Sequence, residues 1–338
     1  MIEDIIKKLV KGSNLTALET EKVFKQIMSG KLDSDSIAVF LMALSVKGET
    51  ATEITAAAKI MRKYASSIKV AKGSEPILDT CGTGGSGIDT FNISTASAFV
   101  VAGCGVKVAK HGNRSVSSAC GSADVLEELG VNISLSPKQV EKCIKAIGIG
   151  FMFAPLFHPA MKHAMPARRA LGVRTIFNIL GPLSNPANAT CQVLGVYDKA
   201  LTTLMAKVLS NLGVKRAFVV HGLEGLDEIS ILGETQVSEL RNKKIRTYKI
   251  SSSKLGFNRA SLKDIKGKNK KENAKIILSV LKGAKGSKRD AVVLNAGFAL
   301  VAAGRAKNIK DAIKLAEHSI DSGAAIAKLK QLKVFTKK

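Results

Sequence analysis

From Pro76 onward short β-type runs alternate with helix-like stretches, and this alternation limits the fold more than any other feature of the sequence. ILDTC (77–81) leads into a Gly-rich loop. Helix-like STASAFVVAGCG (94–105), VKVAK (106–110), a second loop and helix-like ADVLEELG (123–130) follow. Residues 137–147 read as a further helix, with Ser136 as N-cap and Pro137 at the first helical position. TCQVLGVYD (190–198), RAFVVHG (216–222) and AVVLNAG (291–297) read as later strands. The pattern predicts an α/β domain with a mostly parallel central sheet.

The first 70 residues differ in character. Thr16 with Glu19, and Thr50 with Glu53, have the spacing of capping boxes, and each opens an apolar-periodic run. Gly12, Gly30 and Gly48 punctuate these runs as helix stops. IAVFLMAL (37–44) is apolar nearly all round, which predicts a buried helix and suits a subunit interface. AKGSEP (71–76) reads as a linker. The expected organisation is therefore an all-helical domain over 1–70 and an α/β domain over 75–338, in keeping with two domains for 338 residues.

Composition excludes a disordered tail, a collagen-like fibre and a cysteine scaffold, since 46% of residues are hydrophobic and only 7 are Pro. The net charge of +25 favours an anionic partner. The excess is concentrated between Arg241 and Arg289, where 17 Lys/Arg face only Asp264 and Glu272. Tyr248 and Phe257 are its chief aromatics, too few for a single-stranded nucleic-acid platform, so a solvated Lys-rich face is the simpler reading. Cys81, Cys104, Cys120, Cys143 and Cys191 show no CxxC spacing and are expected as free thiols. The N-terminus lacks a signal-peptide pattern, and the longest nearly apolar run (96–106) is short of the roughly 20 residues of a membrane helix. A cytoplasmic protein without a membrane partner is expected.

Gly82-Thr83-Gly84-Gly85-Ser86-Gly87 matches the letters of a dinucleotide-binding loop. That reading requires an acid at the end of the next strand, where Lys110 and His111 stand instead. A P-loop is excluded because Ile88 follows Gly87. What remains is a phosphate cradle. Glycine backbone N–H groups, the hydroxyl-bearing helix start Asn92-Ile93-Ser94-Thr95, and the cations Lys110 and Arg114 are expected at two successive strand ends.

DTCGTGGSG, FNISTASA, KHGNRSVSSACGSADVLEELG, FAPLFHPAMKHAMPARRALGVRTIFNILGPLSNP and HGLEGLDEIS, in this order, resemble the anthranilate phosphoribosyltransferase family over essentially the whole chain. The resemblance implies a small helical domain beside a larger α/β domain of the nucleoside phosphorylase/phosphoribosyltransferase type. The helical domain would include a return passage near 168–188, and a homodimer would form through the helical domains. The implied reaction joins anthranilate to 5-phosphoribosyl 1-diphosphate (PRPP) with Mg²⁺, in tryptophan biosynthesis. It further implies PRPP contacts from Gly82, Gly85, Ser86, Thr90, Asn92, Ile93, Ser94, Thr95, Lys110, His111, Gly112, Asn113, Arg114, Ser115, Val116, Ser117, Ser118 and Ser122. Gly82, Asn113 and Arg168 would meet anthranilate, and Ser94, Asp227 and Glu228 would hold the metal. No residue is assigned as a general acid or base, because an arene amine need not lose its proton before attack.

His158 and His163 remain open between a substrate channel and packing. Ser86 stands where the family commonly carries Asp, which removes any contact needing a negative charge there. Two rival readings are a nucleic-acid-binding paralogue without transferase activity, which the charge would suit, and a pyrimidine nucleoside phosphorylase. The retained Asn113, Arg168 and GLDE (225–228) weigh against the first, and KHGNR joined to RTIFNILGPLSNP against the second.

Overall fold

The computed structural model describes residues 2–71, 73–85, 87–115 and 119–337. It opens with α1 (Ile2–Val10), α2 (Ala17–Met28), α3 (Ser34–Lys47) and α4 (Ala51–Tyr64). Both expected capping boxes form, at Thr16/Glu19 and Thr50/Glu53. Glu53 does more than cap. Its carboxylate, fully buried, also accepts the Leu15 N–H at 2.8 Å and pairs with the buried Lys47 ammonium at 2.8 Å. Gly12, Gly30 and Gly48 end their helices in the left-handed region.

The remainder runs β1 (Ile77–Gly82), α5 (Ile93–Gly103), β2 (Lys107–Gly112), α6 (Ser122–Glu128), α7 (Pro137–Ile147) and β3 (Ile149–Phe153). Next come α8 (Ala154–Phe157), α9 (Met165–Leu171), α10 (Ile176–Leu183), β4 (Cys191–Gly195), α11 (Leu201–Asn211) and β5 (Arg216–Gly222). The hairpin β6 (Glu234–Arg241) and β7 (Lys244–Ser251) precedes α12 (Leu262–Ile265), α13 (Lys270–Leu281), α14 (Ser287–Ala302), α15 (Ile309–Asp321) and α16 (Ala324–Thr336). One seven-stranded sheet has the order β3-β2-β1-β4-β5-β6-β7. Its first five strands are parallel, and only β6 and β7 are antiparallel. Strand order reverses between β1 and β4, so the crevice at their carboxyl ends is where such a sheet offers a ligand site.

Each face of the sheet has its own core. On one, α5 and α13–α16 pack over β1, β2, β4 and β5, with Phe218 and Phe298 edge to face at 5.0 Å. On the other, Leu194 and Val219 join α11, α9, α10 and the N-terminal helices in a single apolar cluster in which Phe24 contacts Phe40 and Phe177. AVVLNAG, expected as a strand, lies instead inside α14. Nearly every residue of that helix is buried, so it has no polar stripe to reveal a 3.6-residue period.

Candidate active site

The tips of β1 and β4 carry glycine because another chain segment lies directly on them. A Cβ built on Gly82 would sit 2.7 Å from Asp227 Oδ2, and one on Gly195 would sit 1.6 Å from the Asp227 backbone oxygen. The Thr83 N–H donates to the Gly195 carbonyl at 2.9 Å, and the Tyr197 N–H donates to Thr83 Oγ1 at 3.1 Å. Beyond this seam Gly84, Gly85 and Gly87 all take positive φ, between 65° and 76°, which Cβ-bearing residues rarely adopt. Ser86, between them, lies outside the described residues.

The hydroxyl-bearing segment opens α5. Asn92 is its N-cap residue; its Nδ2 donates to the Cys120 carbonyl at 2.9 Å and its Oδ1 accepts from Asn273 at 3.1 Å. Ile93 is buried below. The Ser94 N–H donates to Glu228 Oε1 at 3.2 Å, and Thr80 Oγ1 donates to the Ser94 carbonyl at 3.0 Å. The Thr95 hydroxyl is buried without a hydrogen-bond partner among the described residues. Thr90 forms an isolated bridge with Lys266, and a Cβ on the adjoining Gly267 would lie 2.5 Å from the Thr90 carbonyl.

Lys110, in the second half of β2, is buried. Its ammonium donates to the Thr80 carbonyl and stands 3.5 Å from Ser94 Oγ. Burial pulls its pKa down, while Asp79 and Glu228 work against that shift. Asp79 is itself fully buried, accepting from the His111 N–H at 3.2 Å and Asn185 Nδ2 at 2.8 Å. The His111 ring lies 5.0 Å from that of His158, and its Nδ1 is 3.2 Å from the Gly181 carbonyl. Burial first, then His158, drives the His111 pKa to about 3; burial drives that of His158 to about 4.

The loop after β2 is drawn together by backbone. Gly112 leaves room for Ser122 Oγ, which would be 2.2 Å from an added Cβ. The Asn113 carbonyl accepts from the Ala123 N–H at 3.2 Å and Ser122 Oγ at 3.4 Å, and Asn113 itself is exposed. The Ser115 N–H donates to Asp124 at 3.0 Å. Arg114 does not converge with Lys110. Its guanidinium pairs with Glu127 at 2.5 Å and Asp124 at 3.1 Å and lies 5.5 Å from the centre of the Phe153 ring. Both carboxylates stand on α6. Val116, Ser117 and Ser118 lie outside the described residues.

Asp227 and Glu228 present hard oxygen ligands beside Ser94. Burial, then the Asp227 charge, raises the Glu228 pKa to about 8, against the opposing pull of Lys110 and the Ser94 N–H. Two crowded carboxylates of this kind fit a divalent cation, whose charge would favour their ionised forms. Among the described residues no group of three His, Cys, Asp or Glu could hold a metal. Two carboxylates and a hydroxyl are hard oxygen donors that suit Mg²⁺, a cation that keeps water and substrate phosphate oxygens in its shell.

Arg168 lies on α9. It is half-buried and makes no ion pair among the described residues; its Nη1 donates to Met165 Sδ at 3.7 Å, and its guanidinium lies 5.4 Å from the centre of the Phe177 ring. A cation left without a carboxylate can take one from a ligand. Among the described residues no hydrogen bond joins Arg168 to Asn113. Asp79, Asn185 and Gly195 also stand at the site, and no sequence motif above includes them in a ligand-binding role. The last could have been found, because glycine ends the β4 run as it ends that of β1.

The helical bundle domain of the glycosyl transferase family matches residues 3–65, and the a/b domain of that family matches residues 74–326. The chain is 54% identical over 336 residues to anthranilate phosphoribosyltransferase of Desulfatibacillum aliphaticivorans, covering 99% of both chains. It resembles the crystal structure of the Thermus thermophilus enzyme of that name with a TM-score of 0.93 and 43% identity, covering 99% of this chain and 100% of that one. The Saccharomyces cerevisiae enzyme in complex with PRPP and Mg matches with a TM-score of 0.90 and 30% identity, covering 99% of this chain and 98% of that one.

Proposed function

The chain belongs to the anthranilate phosphoribosyltransferase family, and we propose on that premise that the hollow between the β1, β2 and β4 tips is where it transfers the 5-phosphoribosyl group of PRPP to the amine of anthranilate. The products are N-(5-phosphoribosyl)anthranilate and pyrophosphate, and the reaction belongs to tryptophan biosynthesis. The closure of the acidic turn on the strand tips, with Ser94 N–H on Glu228 and Gly82 against Asp227, carries this reading.

Breaking the C1–O bond of PRPP builds positive charge on the sugar and negative charge on the departing diphosphate. The chain answers with positioned donors rather than a covalent nucleophile. Gly82, Gly85, Ser86, Thr90 and the α5 start Asn92–Thr95 receive the diphosphate end, and Lys110, His111, Gly112, Asn113, Arg114, Ser115, Val116, Ser117, Ser118 and Ser122 frame the rest of PRPP. Asp227, Glu228 and Ser94 would hold Mg²⁺, which when bound would supply charge stabilisation to the phosphate oxygens. Arg168 grips the anthranilate carboxylate and Asn113 orients its amine beside Gly82. The weakly basic amine attacks C1 as the C1–O bond breaks, without prior deprotonation, and the proton it then sheds passes to water or the departing diphosphate, so no side chain serves as general base.

The protein acts as a homodimer. Val10, Leu18, Val39, Met42 and Val46 are exposed apolar residues on α1–α3, and the last three recur at helical spacing along α3. Light scattering is expected to give twice the chain mass, and Val39→Glu with Val46→Glu a single one; a wild-type monomer would refute the dimer. No helix among the described residues is long and apolar enough to cross a membrane.

Anthranilate fluorescence tests the activity directly. Addition of PRPP and Mg²⁺ should extinguish it in proportion to enzyme, and a folded protein that leaves the signal unchanged would refute the assignment.

A further inference from the structure

Arg174 belongs to none of the residue sets above, yet it crosses from the helical segments to the Gly-rich loop. It precedes Thr175, the N-cap residue of α10, and its carbonyl is 3.4 Å from Ser45 Oγ on α3. From this anchored backbone the guanidinium reaches the loop and donates to the Gly85 carbonyl. On the way it lies 4.2 Å from the centre of the Tyr197 ring. Tyr197 is tied to the same loop through its N–H on Thr83 Oγ1 at 3.1 Å. Arg174 forms no ion pair among the described residues; its guanidinium meets the Gly85 carbonyl and the Tyr197 ring.

A loop with glycines at 82, 84, 85 and 87 has many backbone conformations open to it, and only a fraction of them present a concave array of N–H groups. Ordering such a loop at the moment of binding costs affinity; ordering it beforehand recovers that affinity. A guanidinium bond to a backbone carbonyl is charge-assisted, and stacking on Tyr197 limits the freedom of the arginine itself. The added Cβ of any residue replacing Gly85 would lie 2.8 Å from Arg174 Nη2, so glycine there also gives the guanidinium access.

We infer that Arg174 is a positioning residue: it holds the Thr83–Gly85 stretch of the glycine loop in the shape that receives the diphosphate of PRPP, and links that shape to α3 and α10. This rests on the assignment of PRPP to the strand-tip hollow. Arg174 acts on the loop carbonyl and does not itself hold phosphate.

The test uses steady-state kinetics together with calorimetric titration of PRPP in the presence of Mg²⁺. Arg174→Ala should raise the KM and Kd for PRPP about tenfold, the scale of one lost hydrogen bond to a charged donor. The kcat at saturating PRPP and the KM for anthranilate should change less than twofold. Arg174→Lys, which keeps a charged donor but not the planar stack, should recover part of the loss. Tyr197→Leu should move the PRPP constants the same way, and the double variant should be no worse than Arg174→Ala. Unchanged PRPP constants in an Arg174→Ala variant with an unaltered circular dichroism spectrum would overturn the inference while leaving the wild-type activity standing. A fall in kcat alone, an equal rise in the anthranilate KM, or additive effects of the two substitutions would also overturn it. Wild-type protein that neither binds nor turns over PRPP would remove both this role and the assignment beneath it.

Discussion

Gly82 and Arg168 show how single residues divide the work between the two substrates. A methyl group at position 82 meets the end of a movable carboxylate, 2.7 Å away, so Gly82→Ala should leave the fold intact and displace Asp227. The expected result is at least about tenfold weaker Mg²⁺ activation, the usual scale for disturbing the support of a metal ligand. Titrating Mg²⁺ at fixed PRPP would measure it. The same methyl at Gly195 meets backbone 1.6 Å away and has no such escape. Arg168 lies among Met165 and Phe177 without a carboxylate, so Arg168→Ala removes little that holds the fold. It should raise the KM for anthranilate tenfold or more while that for PRPP stays within twofold. Equal changes in both constants would remove Arg168 from the carboxylate role.

At the scale of elements, the turn between α3 and α4 depends on one carboxylate. Glu53 accepts the Leu15 and Thr50 N–H groups and the Lys47 ammonium, with both charged side chains out of solvent. Glu53→Ala leaves that ammonium and the Leu15 N–H without their partner and should cost about 3–5 kcal/mol in urea unfolding. A loss below 1 kcal/mol would mean that water or another group replaces the carboxylate. This helix start was legible in the sequence because a capping box is local, its two residues three positions apart. The β1 and β2 runs and the glycine loop between them were legible for the same reason. α14 was not, since its burial depends on helices distant in sequence, and β6–β7 lacks the β-α alternation that marks the parallel strands. Arg114 is a different case: a cation near the glycine and hydroxyl motifs can be read from sequence, but its ion pairs with Asp124 and Glu127 follow only from where α6 lies. The partnership of Lys110 with Asp79 likewise needed the β1–β2 pairing.

For the molecule as a whole, the buried imidazoles set how stability responds to acid. His111 and His158 have pKa values near 3 and 4 in the folded chain, against about 6.5 when unfolded. At pH 7 neither state holds these protons, and the full contribution of the neutral rings is present. As pH falls below about 6.5 the unfolded chain takes up two protons that the folded chain refuses, so stability declines through the interval down to about pH 3. Near pH 5 the difference is almost two protons, which predicts a slope of about 2.5 kcal/mol per pH unit from this pair. A net charge of +25 adds self-repulsion in the same direction as carboxylates protonate. Urea unfolding at pH 7, 6 and 5 would give the slope, and His158→Gln should reduce it by roughly half, because one proton-refusing ring is removed and the pressure of His158 on His111 goes with it. A variant with the wild-type slope would show that acid sensitivity arises elsewhere, with the carboxylates at the protein surface.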